Sequence, residues 1–356
     1  MRYFCASSKI QKVINMRVAM YYKNADVRLE EMPTPKIGSG EILICVYASG
    51  ICGSDLMEWY RLPKAPLVLG HEIAGEVVEV GAEVSKFSIG DRVIATHHVP
   101  CNTCHHCMRG NHSSCATLRS TSFDPGGFSE YIRIPEINVD RGVLKLPDQV
   151  TYEEASFVEP LGCVVRGQRL AGFQMTDNVL VMGSGMTGLL HIQLAKAQGA
   201  GKIIATDVSD YKLSIAKQFG ADYPIHADQD IASHIKEVNE GRLADFVVVC
   251  VGAKPVIEQA FDLVEPGGTI LFFAPSGPDT KIDIPFNDFW WSGVKTLSSY
   301  AASPSDLDIA LELISSKRVN VADMVTHRLP LSETGEGFRM VQEGGDSIKI
   351  IVEPHK

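Results

Sequence analysis

The sequence predicts an α/β protein, with a doubly wound parallel sheet accompanied by a second, β-rich unit. From Thr176 onward, apolar strand-like runs alternate with helical stretches, the pattern of repeated βαβ units. Between about Arg17 and Glu159, short β-branched runs are instead broken by Gly, Pro and Asp at close intervals, as in a barrel-like β structure. The chain has 356 residues, 45% hydrophobic and 21% charged, which is room for about two domains and a substantial core.

Taken in order, residues 1–15 (MRYFCASSKIQKVIN) contain basic residues but no continuous apolar core, so they make a poor secretory signal. Met16 opens the strand-like RVAMYY segment and is the expected natural start, which leaves 1–15 as an extension. The β-rich unit then reads as EILICVYASG, EIAGEVVEVG, DRVIAT and FSEYIRI, with Cys45 a core residue inside the first of these. In the second half, the strand DNVLVMG leads into the helix TGLLHIQLAKAQ, and KIIATD follows as the next strand. A helix over 228–239 leads to the strand ADFVVVCVG, and the helix PVIEQAFDLV leads to the strand TILFFA. The segment SPSDLDIALELISS reads as a helix capped by Ser303 or Ser305, with Pro304 in its first turn. The tail DSIKIIVEP ends as a strand that could return to the first unit. The expected domains are 16–165 with 300–356, and 166–299.

Charge and cysteine usage narrow the function. A formal net charge of -10 argues against a nucleic-acid surface, which requires clustered Lys and Arg. No apolar run approaches the ~20 residues of a membrane span. Nine cysteines are too unevenly placed for a disulfide framework, and metal binding in a reducing, cytoplasmic compartment explains them better.

Three motifs carry chemistry. Cys101-x2-Cys104-x2-Cys107-x7-Cys115 places four thiolates on one short loop, enough to close a tetrahedral structural zinc site with no open position. Its only cationic side chain, Arg109, cannot make a phosphate-binding face, and His105, His106 and His112 read as solvated loop residues. Gly183-x-Gly185-x-x-Gly188 lies between a strand and a helix, with Asp207 closing the next strand nineteen residues after Gly188. That context makes it a dinucleotide fingerprint, with a tight turn and close backbone approach to a pyrophosphate at a helix N-terminus. Asp207 would accept from ribose hydroxyls and repel a 2′-phosphate, favouring NAD over NADP. Finally, Cys52 and His71 are ligands of the kind a catalytic zinc uses, although alone they read equally well as a buried thiol and a hydrogen-bonded histidine.

With these residues assembled, the chain from Met16 to its end resembles the zinc-dependent medium-chain alcohol and polyol dehydrogenases, nearest to the sorbitol and threonine dehydrogenase branch. CGSD, GHE, the four-cysteine lobe, EPL and GxGxxG occur in that family's order. The resemblance implies a chaperonin-10-like (GroES-like) catalytic domain interrupted by a Rossmann domain, two zinc ions and NAD. It also implies a small alcohol or polyol substrate and a homo-oligomer, dimer or tetramer. Cys52 and His71 would bind the catalytic zinc, and Glu72 would be a direct ligand or a carboxylate just behind it. Glu159 would take the fourth position, directly or through water. Asp55 would hold His71, Ser54 would relay the hydroxyl proton, and Lys212 and Lys349 would reach the ribose and the pyrophosphate.

Two departures concern the substrate. Met57 stands where several alcohol dehydrogenases have a relay histidine, and Ser299 stands where many polyol dehydrogenases have an arginine before the tyrosine matching Tyr300. Glu58, Trp59, Phe123 and Ser299 are expected pocket wall. Three alternatives remain: a threonine or simple secondary alcohol dehydrogenase, a zinc-free quinone reductase, and a catalytically silent protein that binds NAD and zinc.

Overall fold

The computed structural model describes residues 15–356, so the expected extension lies outside the described residues except for Asn15, which already pairs with Pro33 in the first strand. Among the described residues there are three sheets, of three, six and seven strands.

The six-stranded sheet is parallel throughout. Counted along the chain, its strands Val179–Met182, Ile203–Asp207, Tyr223–His226, Ala244–Val249, Val264–Phe272 and Lys295–Ser298 lie in the doubly wound order 3-2-1-4-5-6. The central strand VLVM is buried at every position. A parallel strand covered by helices on both faces needs such an uninterrupted apolar run. Helices Met186–Ala197 and Asp210–Phe219 follow the first two strands, so the glycine turn and Asp207 meet at the carboxyl ends of the strands.

The seven-stranded sheet belongs to the β-rich unit and is completed by the C-terminal tail. Strand Ile42–Gly50 has eight of its nine residues buried and pairs with Glu72–Val80, Tyr131–Ile134 and Lys349–Glu353. The register places Gly50 opposite Glu72, while Ile351 also pairs with Gly50. Three segments distant in sequence thus converge at one end of this sheet. Ile51 and Cys52 leave the ladder there, and His71 enters it.

Helix Val158–Leu170 runs without interruption across the expected boundary at 165/166, so the chain passes from one sheet to the other through a helix rather than a loop. It packs on Pro304–Ser315, where a Cβ on Gly162 would meet Leu307 Cδ2 at 2.9 Å. The second helix starts with a capping box: Asp306 accepts from Ser303 N at 2.9 Å, and Pro304 occupies the first turn. The eight described cysteines are free thiols. Among the described residues no helix is long and apolar enough to cross a membrane.

Candidate active site and metal centres

Cys52 caps a short helical turn, Gly53–Leu56, in which the Asp55 carboxylate accepts from Cys52 N at 3.1 Å. This local loop holds the thiol, the Ser54 hydroxyl and the Asp55 carboxylate in one orientation. Asp55 is fully buried, and its Oδ1 lies 3.3 Å from His71 Nδ1 and 3.6 Å from Arg61 Nη2. Burial opposes charge on both partners. The pairing overrides it, drawing Asp55 below the usual carboxylate range and raising His71 well above its ordinary value. With Nδ1 on Asp55, His71 turns Nε2 toward Ser54 Oγ at 3.5 Å, and that hydroxyl lies 3.4 Å from Cys52 Sγ.

Cys52, His71 and Glu72 present one sulfur, one nitrogen and one oxygen, all within 4.8 Å of one another. Glu72 Oε2 is paired with Lys349. Its Oε1 is buried and has no hydrogen-bond partner among the described residues, an acceptor that a cation would satisfy. A borderline-soft divalent ion fits this donor set. Glu159, near the start of helix Val158–Leu170, stands close enough to feel the charges of His71, Glu72 and Lys349 but lies outside the three-residue cluster. Burial pushes its carboxyl up to about 7, a shift that a nearby divalent cation would reverse.

Lys349 departs from the expected place. It is 1% exposed, and its ammonium is committed to Glu72 and to the carbonyl of Ile51 at 3.3 Å, not to an open cofactor cradle. The physical reason is register. Pairing of the C-terminal strand with Ile42–Gly50 brings residue 349 beside Gly50, where a Cβ would lie 2.3 Å from Glu72 Oε2 and 2.6 Å from Lys349 Cε. Only glycine leaves room for the pair. Two expected pocket residues have further partners. Glu58 accepts from Asn24 N at 2.9 Å, and Phe123 packs with the β-rich core while its ring meets that of His97, 6.2 Å between centroids, next to His71. Trp59 is half exposed beside Tyr60.

The second cluster is Cys101, Cys104, Cys107 and Cys115, with ligand atoms again within 4.8 Å of one another. Backbone N–H groups of Cys104 and Cys101 point at Cys101 Sγ (3.3 Å) and Cys115 Sγ (3.4 Å), which suits thiolates. His105 and His106 are exposed, as expected. His112 is instead held against buried Arg166, its Nδ1 3.5 Å from the guanidinium, which also donates to Gly110 O at 3.3 Å. That contact anchors the lobe to helix Val158–Leu170.

At the glycine turn each residue has a separate task. Gly183 adopts φ +97°, which side chains disfavour. A Cβ on Gly188 would lie 1.9 Å from the Gly183 carbonyl oxygen, whereas one on Gly185 would meet nothing within 4 Å. Gly185 therefore marks the open face at the helix N-terminus. Asp207 accepts from Ser184 N at 2.8 Å and Ser209 N at 3.0 Å, which fixes its carboxylate beside the turn. Lys212 lies in the first turn of the following helix.

Fold and sites together define a two-domain, zinc-binding dehydrogenase architecture. The family model of the alcohol dehydrogenase GroES-like domain matches residues 38–148, and that of the zinc-binding dehydrogenase matches 187–316. Sorbitol dehydrogenase of Gallus gallus is 31% identical over 95% of this chain and 96% of its own length. D-arabitol-phosphate dehydrogenase of Enterococcus avium is 30% identical over 97% and 98%. The crystal structure of 2R,3R-butanediol dehydrogenase from Bacillus subtilis superposes with a TM-score of 0.84 at 27% identity, covering 95% of this chain and 99% of that one. The chain belongs to the zinc-dependent medium-chain alcohol and polyol dehydrogenases. It is an oxidoreductase that works with zinc and a nicotinamide dinucleotide.

Asp55, fully buried with its Oδ1 3.3 Å from His71 Nδ1, is placed to set the tautomer of that ring. Asp55→Asn is expected to weaken zinc retention by about 10–100-fold. Competition with a chelator, read as zinc content, measures this. Unchanged affinity would show that the carboxylate does not orient the ligand.

Proposed function

We propose that the protein oxidises a polyol at a secondary carbinol carbon to the ketone, passing hydride to NAD, with two zinc ions per chain. The observation that carries this reading is the cluster of Cys52, His71 and Glu72 with its unpartnered buried oxygen. The names of the relatives, which act on sorbitol, an arabitol phosphate and butanediol, support a substrate with several hydroxyls.

Cys52 and His71, with Glu72 or Glu159, would hold the catalytic ion, and the four lobe cysteines the structural one. When bound, the catalytic ion polarises the substrate hydroxyl and lowers its pKa. Ser54 Oγ, beside both Cys52 and His71, is placed to accept the hydroxyl proton. A bound nicotinamide dinucleotide would supply the hydride acceptor, so that the two electrons leaving the carbinol carbon would be taken up by the cofactor. Met57 offers only a weak thioether acceptor, so a proton taken up by Ser54 would have to pass to another group or to water.

The fixed carboxylate of Asp207 supports NAD, since a second anion there would meet it directly. Lys212 is the remaining candidate for the ribose. The reading extends to self-association. Phe286, Trp290 and Trp291 are 69%, 64% and 74% exposed beside the edge strand Lys295–Ser298, a surface that a second copy would cover.

A panel of sorbitol, xylitol, galactitol, myo-inositol, threonine, 2,3-butanediol and 2-propanol, assayed with NAD and with NADP, tests the reading. The expected result is NAD-linked turnover of at least one polyol, abolished by a chelator, with about two zinc atoms per chain. Turnover of threonine or 2-propanol alone would overturn the substrate class, and a preference for NADP would overturn the role of Asp207.

A further inference from the structure

The carboxyl edge of the parallel sheet holds a charged side chain that the functional reading leaves unused. His226 ends the edge strand Tyr223–His226, level with Asp207 in the parallel register, and Ala227 N donates to Asp207 O at 2.9 Å. The imidazole of His226 bridges two groups. Nδ1 lies 2.5 Å from Asp228 Oδ1, and Nε2 lies 2.9 Å from the carbonyl oxygen of Val208.

Its protonation follows from those partners. A carboxylate and a carbonyl oxygen only accept, so both ring nitrogens carry a proton and the ring is a cation. The Asp228 N–H, 3.5 Å from Nδ1, is too distant to take the place of the carboxylate. The same two bonds, that to Asp228 first, raise His226 above its ordinary value. The charges that reach the ring are Asp228 from its own loop and Asp210 from the start of helix Asp210–Phe219, while the neighbouring strand ends on Asp207.

The Val208 carbonyl belongs to the turn between Asp207 and that helix. The next residue, Ser209, gives its N–H to Asp207 Oδ1 at 3.0 Å and caps the helix by accepting from Lys212 N at 3.4 Å. One short turn thus sets both groups assigned to the ribose. It has no apolar anchor, since Val208 is 77% exposed. Its position relies on hydrogen bonds, and His226 supplies the one that ties the Val208 carbonyl to the neighbouring strand. A charge-assisted bond is roughly twice as strong as a neutral one, so the turn is held best while His226 is charged.

We infer that His226 is a positioning residue for the adenosine end of the cofactor. As an imidazolium it clamps the turn at Val208 against the sheet edge, so that Asp207 and Lys212 stand ready for the ribose, and it makes dinucleotide binding tighter in acid than in alkali. The inference rests on the NAD reading above, in which Asp207 meets the ribose, and deepens it. Because folding raises the pKa of this histidine, the clamp is complete below the ordinary histidine value and is lost as pH rises through the raised one.

Calorimetric titration with ADP-ribose tests this. That probe carries the adenosine and the pyrophosphate without the nicotinamide, and it has no group of its own that titrates near neutrality. In the zinc-loaded wild-type protein the dissociation constant is expected to rise about fivefold from about pH 6 to about pH 9. His226→Phe should bind at every pH as weakly as the wild type does at the alkaline end. His226→Gln, whose amide can still donate to the Val208 carbonyl without a charge, should be equally flat with pH but of intermediate affinity. Melting temperatures are read alongside. A pH dependence in His226→Phe equal to that of the wild type would overturn the inference. So would a lower melting temperature in His226→Phe with unchanged affinity, which would reduce the residue to a structural role. A wild-type affinity that does not move with pH would also sink it. Absence of ADP-ribose binding to the wild type at any pH would overturn it together with the NAD reading.

Discussion

Replacing Cys52 by serine is expected to lower kcat by about a thousandfold and the zinc content by one ion per chain. The metal contributes several kcal/mol of charge stabilisation in such reactions, and each ~1.4 kcal/mol is a factor of ten in rate. His71→Ala should behave in the same way, because the two ligand atoms sit in one cluster with Glu72. Cys104→Ser offers the contrast. It removes the other ion, and the first effect there should be a lower melting temperature, since a short loop with little apolar surface depends on its metal to fold. Elemental analysis with thermal melts on the three variants separates the two sites. If Cys52→Ser kept both ions and its turnover, the catalytic assignment would be lost.

The second large effect sits at the glycine turn. Gly188→Ala should cost at least about 3 kcal/mol and prevent accumulation of folded protein, at the upper end of overpacking penalties. The added methyl would lie 1.9 Å from the backbone oxygen of Gly183, with no flexible side chain to yield. Gly185→Ala should leave the melting temperature nearly unchanged, since its Cβ would meet nothing within 4 Å, while weakening NAD binding. Melting curves and fluorescence titration with NADH read the two separately. Equal NAD affinity in Gly185→Ala would mean that the cofactor does not approach this face.

The difference between these glycines shows how far the sequence could be read. GxGxxG between a strand and a helix identified the turn, but only the geometry assigns a backbone angle to Gly183, open space to Gly185 and close packing to Gly188. The parallel sheet was legible because a strand covered on both faces must be apolar throughout, and VLVM, IIATD and ADFVVV are nearly so. The cysteine, histidine and carboxylate that cluster in the candidate site were legible because their types suit zinc and their motifs recur in a family. The partners of Glu58 and Phe123, Asn24 and the β-rich core, were not legible, because they lie far away in sequence. His112 seemed solvated because its partner, Arg166, is 54 residues away.

What the sequence determined by itself was therefore local or compositional: the run of βαβ units, the four-thiolate loop, the dinucleotide fingerprint and the chemical type of each ligand. These follow from spacing along one stretch of chain, where a side chain's neighbours are its sequence neighbours. What only the tertiary structure decided was pairing between distant stretches. Lys349 belongs to Glu72 because the C-terminal strand adds to Ile42–Gly50 in one register. Tyr300 belongs to His98 because the end of the parallel sheet lies against the end of strand Arg92–Ala95. Both contacts span more than two hundred residues. No sequence spacing encodes them, since they arise only when burial of two separate cores brings the sheet ends together.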